Sequence, residues 1–227
     1  MPLCRIISCL GLVPYADALA EQRTLALLRQ TGAIPDTLLL LEHPPTITLG
    51  RGSEETDLLS DTLSLCGRGI AVERVDRGGE ITYHGPGQLV GYPILDLREH
   101  GQDLHRYLRD LEQVVIQTLG AFGISGCRIP SQTGVWVGGS KIAAIGIKVS
   151  RWVSQHGFAL NITTDLAPFR RDFIPCGIRD KDVTSLRDIL GDACPTRPAV
   201  EEILVAAFAE VFTMTPTFQT RMGILEP

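Results

Sequence analysis

Arg77-Gly78-Gly79-Glu80-Ile81-Thr82-Tyr83-His84-Gly85-Pro86-Gly87-Gln88 is the stretch on which the reading of this chain turns. It packs four glycines, a proline, a histidine and an arginine between two apolar runs, Ile70 to Val75 and Leu89 to Leu97. Glycine removes side-chain bulk and permits positive φ, so backbone can approach a ligand closely. A core hairpin accounts for Gly78-Gly79. It does not account for Arg77, Tyr83, His84 and Gln88 gathered at one turn, and the stretch reads as a ligand wall.

Outward from this wall the pattern alternates strands with two long early helices. Leu3 to Leu10 predicts a first strand, and Pro14 opens a helix from Tyr15 to Gln30, with Tyr15, Ala18, Leu19, Gln22, Leu25 and Leu28 at helical spacing. Asp36 to Glu42, with four consecutive leucines, predicts a buried strand; His43-Pro44-Pro45 breaks it, His43 reading as a turn residue, and Thr46 to Leu49 resumes. A loop and one short helix fill 57–68, and Ile70 to Val75 is a strand feeding the wall. Leu104 to Phe122 is the second long helix, with His100 and His105 read as solvated at its start. Gly134 to Val137, Lys141 to Val149, Trp152 to Val153 and Gly157 to Ile162 fit an antiparallel meander. Residues 168–182 read as irregular, Ser185 as the cap of a turn from Leu186 to Leu190, and Pro198 to Phe212 as a last helix. No repeat or linker interrupts the chain. The expectation is one α/β domain with a mixed sheet and packed helices over residues 1–215, followed by a tail at 216–227.

The chain has 227 residues, enough to bury a sizeable core. A net charge of -5, with 44% hydrophobic and 21% charged residues, carries no global nucleic-acid footprint. No run approaches the ~18 apolar residues of a membrane span. Near the N-terminus, Ile6-Ile7-Ser8-Cys9 looks like a lipoprotein-type cysteine and Ala16-Asp17-Ala18 like a cleavage site. That run is short, broken by Ser8, Cys9 and Gly11, and reads as a strand. The six cysteines show neither C-x-x-C spacing nor a histidine at finger spacing, so their pattern supports neither a zinc site nor a redox dithiol. They read as reduced, which places the chain in the cytoplasm.

Two further segments have the character of a site. Gly138-Gly139-Ser140-Lys141-Ile142-Ala143-Ala144-Ile145-Gly146 leads from a glycine turn into a strand of small and apolar residues. It lacks the spacing of a phosphate-binding loop. Lys141 is open to two readings: a solvated strand-end lysine, or one lining an apolar cleft, where desolvation lowers its pKa and makes it a base. Ile174-Pro175-Cys176-Gly177-Ile178 presents Cys176 on a rigid loop near Arg170, Arg171, Arg179 and Lys181. Positive neighbours raise the thiolate fraction, so Cys176 is a candidate nucleophile; Cys4, Cys9 and Cys127 read as buried structural thiols, and Cys66 and Cys194 sit near turns.

Taken together, Arg77-Gly78-Gly79 through His84-Gly85-Pro86-Gly87-Gln88-Leu89-Val90-Gly91-Tyr92-Pro93, then Gly139-Ser140-Lys141-Ile142-Ala143, His156-Gly157-Phe158-Ala159-Leu160-Asn161 and Pro175-Cys176-Gly177-Ile178, with Glu42-His43-Pro44-Pro45 and Thr48-Leu49-Gly50, resemble the octanoyltransferases of lipoate synthesis, the lipoate-protein ligase B type. The motifs run in the family's order across residues 40 to 190. The family often has leucine where this chain has Phe158, a difference that bears on acyl-chain fit.

The resemblance implies a biotin/lipoate ligase-like α/β fold and a cofactor-free acyl transfer. Cys176 attacks the thioester of octanoyl-acyl-carrier protein, and a lysine ε-amine on a lipoyl domain then takes the octanoyl group. Lys141 matches the family's lysine that activates the cysteine and manages the proton; His84 is a second candidate base. Substrate contacts are implied for Arg77, Gly78, Gly79, Glu80, Ile81, Thr82, Tyr83 and His84, for Ala144, Ile145 and Gly146, and for Gly157, Phe158 and Ala159. The partners implied are octanoyl-acyl-carrier protein, lipoyl domains of 2-oxoacid dehydrogenases and the glycine cleavage H protein, with no nucleic acid and no membrane. Ile142, Ala143, Ala144, Ile145, Phe158 and Leu160 suggest a slot for eight carbons, each buried methylene being worth about 0.8 kcal/mol. Segment 168–181 holds four cations against Asp172 and Asp180, a docking patch for acidic partners. The competing readings are an ATP-dependent lipoate or biotin ligase, a non-catalytic acyl-binding protein and a cysteine hydrolase.

Overall fold

The computed structural model describes residues 1–173 and 182–222, apart from the side chains of Glu55 and Met222. Its first strand, β1 (Leu3–Leu12), is followed by α1 (Tyr15–Gln30), β2 (Asp36–Glu42) and β3 (Thr46–Leu49). Then come α2 (Thr62–Gly67), β4 (Ala71–Arg74), β5 (Ile81–His84) and β6 (Gln88–Ile94). After α3 (Leu104–Ala121) the chain forms β7 (Cys127–Ile129), β8 (Gln132–Val137), β9 (Ser140–Ser150) and β10 (Val153–Asn161). The rest is α4 (Ala167–Arg171), α5 (Leu186–Leu190), α6 (Arg197–Val211) and β11 (Thr215–Met222).

Eight strands form one mixed sheet in the order β11-β1-β2-β6-β10-β9-β8-β7, and β4-β3-β5 form a second, small sheet. β1 runs parallel to β2 and to β11, while β6, β10, β9, β8 and β7 alternate antiparallel. The expected meander is therefore present, and its two last pieces are one continuous strand. The segment assigned to a tail is corrected in part: 216–222 lie in β11, paired with β1 from Leu3↔Thr215 to Leu10↔Met222. The exposed threonines and Phe218 of that stretch fit an edge strand at the margin of the sheet.

The leucines of β2 show how the layers are arranged. Side chains alternate across a strand, so a run buried on both faces must be covered on both. Leu38 and Leu40 pack with Leu111, Val115, Leu204 and Phe208 of α3 and α6. Leu39 and Leu41 pack on the other side with Ala18, Leu25 and Ala26 of α1. A third core, around Ile47, Ile81, Tyr83, Leu166, Phe169 and Phe173, holds the small sheet to α4. Asp103 starts α3 by accepting from the amides of His105 and Arg106 at 2.9 and 3.0 Å.

Two expectations about polar residues are corrected. His100 is not solvated: it meets Asp36 at 2.8 Å within an ion-pair cluster, where Asp36 also holds Arg29 at 2.7 Å. Cys127 is exposed, because β7 is the outer strand of the main sheet.

Candidate active site

Residues 77–80 link β4 to β5 and cross from the small sheet to the main one. On one side the amides of Gly50, Arg51 and Gly52 donate to the carbonyls of Glu80, Arg77 and Gly79, each at 3.1 Å. On the other, the Gly78 amide donates to the Ile147 carbonyl in β9 at 2.8 Å. Only glycine at position 146 allows this crossing, since a Cβ there would lie 2.8 Å from the Gly78 carbonyl oxygen and 3.2 Å from Arg77 Cδ. Arg77 braces the bend: its Nη2 donates to the carbonyl and hydroxyl of Thr48 at 2.8 and 2.9 Å, and its Nη1 to the Gly78 carbonyl at 3.1 Å.

Between this crossing and strands β9 and β10 lies a cavity of ≈ 280 Å³. The first motif supplies Arg77, Gly79, Glu80, Ile81, Thr82 and His84 to its wall. β9 supplies Lys141, Ala144, Ile145 and Gly146, and β10 supplies Gly157, Phe158 and Ala159. Thus the three segments singled out along β5, β9 and β10 converge. Two expected contacts do not reach the wall. Gly78 is turned to Ile147, and Tyr83 points from the other face of β5 into the third core, its ring 5.6 Å from that of Phe169. Of the proposed acyl slot, Ala144, Ile145 and Phe158 line the cavity, whereas Ile142, Ala143 and Leu160 are buried beneath α3 and α6.

Residues 174–181, and with them Cys176, Arg179, Asp180 and Lys181, lie outside the described residues. The chain on both sides of them is anchored at the cavity. Phe169 and Val183 line it. The Asp182 carbonyl accepts from the Lys141 amide at 2.9 Å, and the Thr184 amide donates to the Lys141 carbonyl at 3.0 Å. The half-buried Lys141 side chain lies with its Nζ 4.8 Å from the centroid of Trp136.

The sequence matches the lipoyl protein ligase A/B catalytic domain over residues 14–209. The chain belongs to this family. It is 53% identical over 203 residues to the octanoyltransferase of Rubrobacter xylanophilus, covering 88% of this chain and 90% of that one. It is 53% identical over 206 residues to the octanoyltransferase of a Nostoc species, covering 89% of each. The fold matches a crystal structure of lipoate-protein ligase A bound with ATP at a TM-score of 0.76 and 17% identity, over 96% of this chain and 90% of that one. The single-domain α/β fold expected from the resemblance is thus the fold of this ligase A/B catalytic family. Among the described residues no helix is long and apolar enough to cross a membrane.

In this ligase A/B domain the cavity floor is a cluster of polar rings, much of which sequence reasoning missed. Tyr15, Tyr92 and His156 line it. His43, read as a turn residue, is buried; its Nδ1 meets the Val13 carbonyl and its Nε2 the Tyr92 hydroxyl, both at 2.7 Å. His84 Nδ1 donates to Gln88 Oε1 at 2.8 Å, and Gln88 Nε2 donates in turn to Asn161 at 2.9 Å, which leaves His84 Nε2 as an acceptor. Burial lowers all three histidines. His43 is held at about 4, His84 falls well below its ordinary value, and His156 is lowered despite its contact with Asp76. Burial pushes Tyr15 up to about 12 and Tyr92 well above its usual range. The floor is therefore neutral at pH 7. Tyr15 sits at ordinary helix-face spacing, and nothing in that spacing marks it as a site residue. His156 did carry a signal, since it opens the quoted His156-Gly157-Phe158 motif.

Five cysteines lie among the described residues. Burial raises Cys4 to about 12 and Cys9 to about 11, and none of the five lines the cavity.

Proposed function

We propose that this protein transfers an octanoyl group from octanoyl-acyl-carrier protein to the ε-amine of a lysine on lipoyl domains, through an octanoyl thioester on Cys176. The acceptors proposed are the lipoyl domains of 2-oxoacid dehydrogenases and the glycine cleavage H protein, and the reaction is placed in the cytoplasm. One observation carries the reading: the motif residues of three strands build one wall around a mixed apolar and polar cavity, and both ends of the Cys176 segment are tied to it. Cys4 and Cys9 are buried high-pKa thiols and no described cysteine reaches the cavity, which favours Cys176 as nucleophile.

The roles follow from placement. Lys141 is the second residue of β9, paired through its backbone with Asp182 and Thr184 where the chain returns from the Cys176 segment, so it is the group we assign to take the thiol proton and return it to the departing sulfur. Ala144, Ile145 and Phe158 hold the octanoyl chain. Each thioester attack develops an oxyanion, which preorganised N–H donors stabilise. Exchange of one thioester for another is nearly isoenergetic and thioester to amide is downhill, so the sequence of steps needs no activated nucleotide.

The test is intact mass after brief exposure to octanoyl-acyl-carrier protein without ATP. An octanoyl adduct on the parent, missing from Cys176→Ser and discharged by a lipoyl domain, is the expected result. Product formation only from free octanoate and ATP would overturn it in favour of a ligase. Release of free octanoate at equal rates with and without the amine acceptor would mean a hydrolase.

A further inference from the structure

We propose that Tyr15, His156 and Asp76 form the array that takes the proton shed by the acceptor lysine during octanoyl transfer. This rests on the covalent reading above. Proton accounting shows why such a group is needed. Loading Cys176 exchanges sulfur for sulfur and releases no net proton. In the second half-reaction an ammonium becomes an amide nitrogen and loses two protons. One ends on the Cys176 sulfur as it departs. The other must leave by a different base, since Lys141 is committed to the cysteine.

The geometry supplies one. The Tyr15 hydroxyl lies 3.5 Å from His156 Nδ1, and His156 Nε2 lies 3.0 Å from Asp76 Oδ1. Asp76 Oδ2 meets Lys148 Nζ at 2.6 Å. Tyr15 and His156 line the cavity, while the Asp76 side chain is 33% exposed and reaches solvent. The Asp76 carboxylate fixes the proton of His156 on Nε2, so Nδ1 offers its lone pair to Tyr15. The amine N–H bond breaks as a proton moves to Tyr15 Oη; the original Tyr15 O–H bond breaks as its proton moves to Nδ1. The resulting imidazolium faces Asp76.

His156 is a strand residue held at φ +55, uncommon for a residue other than glycine, and only 1% exposed. Its amide is held by Gln22 Oε1 at 2.7 Å. That placement aims the ring between α1 and Asp76. Burial first, then Arg77 and Lys148, keep the ring uncharged at rest, against the pull of Asp76. Neutral His43 and His84 and the protonated Tyr92 complete its surroundings.

The experiment isolates octanoyl-enzyme and discharges it in single turnovers with a lipoyl domain or with hydroxylamine. Hydroxylamine is uncharged at neutral pH and gives up one proton, which the sulfur takes, so no second base is required. For Asp76→Asn and Tyr15→Phe, the ratio of the hydroxylamine rate to the lysine rate rises about 10²-fold over the parent, the usual scale of general-base catalysis. The variants act at opposite ends of the array, so the test stands if one of them fails to fold. Equal slowing with both nucleophiles, or no slowing with lysine, overturns the array and leaves the transferase intact. Failure of the parent to form any octanoyl adduct overturns the covalent reading and the array with it.

Discussion

Gly91 of β6 and Phe158 of β10 are direct partners across two antiparallel strands, and their pairing gives a sharp prediction. A Cβ at position 91 would lie 2.2 Å from Phe158 Cζ, 2.6 Å from Cε1 and 2.7 Å from Cε2. All three nearest atoms belong to the far half of one ring, which is 2% exposed and packed in the main core, so relieving these contacts means pushing the ring out of its packed position. Overpacking of this kind costs about 1–3 kcal/mol, and contacts this short place Gly91→Ala near the top, about 3 kcal/mol. Leucine keeps the inner half of the phenyl ring's footprint and lacks the atoms that clash. Phe158→Leu alone therefore costs about 1.5 kcal/mol for lost burial and a small void. The double variant costs little more than Phe158→Leu, a coupling of at least about 2 kcal/mol. Urea denaturation of the four proteins measures it, and Gly91→Ala alone lowers Tm by about 6–12 °C. Additive losses would refute the reasoning, because they would mean that the ring accommodates the new methyl group at no cost.

Three further outcomes follow from named contacts. Arg77→Lys loses the two-pronged contact with Thr48; hydrogen bonds from a charged donor are worth about 1.5–3 kcal/mol, so urea stability falls by about 2 kcal/mol and octanoyl-enzyme forms at least about tenfold more slowly. Retention of both parental values would show that the brace is dispensable. Asp172, fully buried, joins Ser60, Arg68 and Arg171 at the entrance to the Cys176 segment, and Asp172→Ala costs about 2 kcal/mol once the exposure of the arginines is discounted; unchanged denaturation midpoints would remove it as an anchor. His43 binds its proton near pH 4 when folded and near 6.5 when unfolded, so its neutral form contributes stability above 6.5 that is lost as pH falls to 4, about 3 kcal/mol in all. His43→Gln should flatten the plot of unfolding free energy against pH across that window, and an unaltered slope would show that His43 does not titrate there.

Secondary structure was legible wherever the pattern had a single cause. Four leucines bounded by Asp36 and the His43-Pro44-Pro45 break read as a buried strand, and the structure covers both of its faces. The long α3 carries a wide apolar stripe and a capping aspartate. The edge strand β11 was not legible, because the alternation from Thr215 to Gln219 is short, includes Pro216 and is broken by Thr220; its order comes from pairing with β1, more than two hundred residues earlier. The site divides in the same way. Gly146 and Gly78 were marked by their lack of bulk, and the structure shows what passes over them. Tyr15 was hidden, since a tyrosine at a helical core position looks like any other. Asp76 stood immediately before the motif, but a carboxylate that finds its partners on β9 and β10 leaves no local signature.

The neutral floor of the cavity also limits what any base in this site can contribute. An octanoyl chain brings no charge and loses nothing by entering among Ala144, Ile145 and Phe158. The acceptor lysine does bring charge. With an ordinary lysine pKa near 10.4, deprotonation at pH 7 costs about 4.6 kcal/mol, a factor of about 10³·⁴ in concentration of the reactive amine. Three histidines here are held uncharged by burial, and two of them, His84 and His156, face this ammonium from the cavity wall, so the wall contains proton acceptors in the form that can use them. Of the three, His84 is tied through Nδ1 to Gln88, and His43 is closed off by Val13 and Tyr92. Only His156 couples a cavity hydroxyl to a carboxylate that reaches solvent. A loss of about 10²-fold on breaking that coupling is about 2.7 kcal/mol, which lies beneath the deprotonation ceiling and leaves the remainder to solvent and to His84. A loss well above the ceiling would show instead that Asp76 shapes the cavity, because no proton acceptor can return more than the cost of the proton.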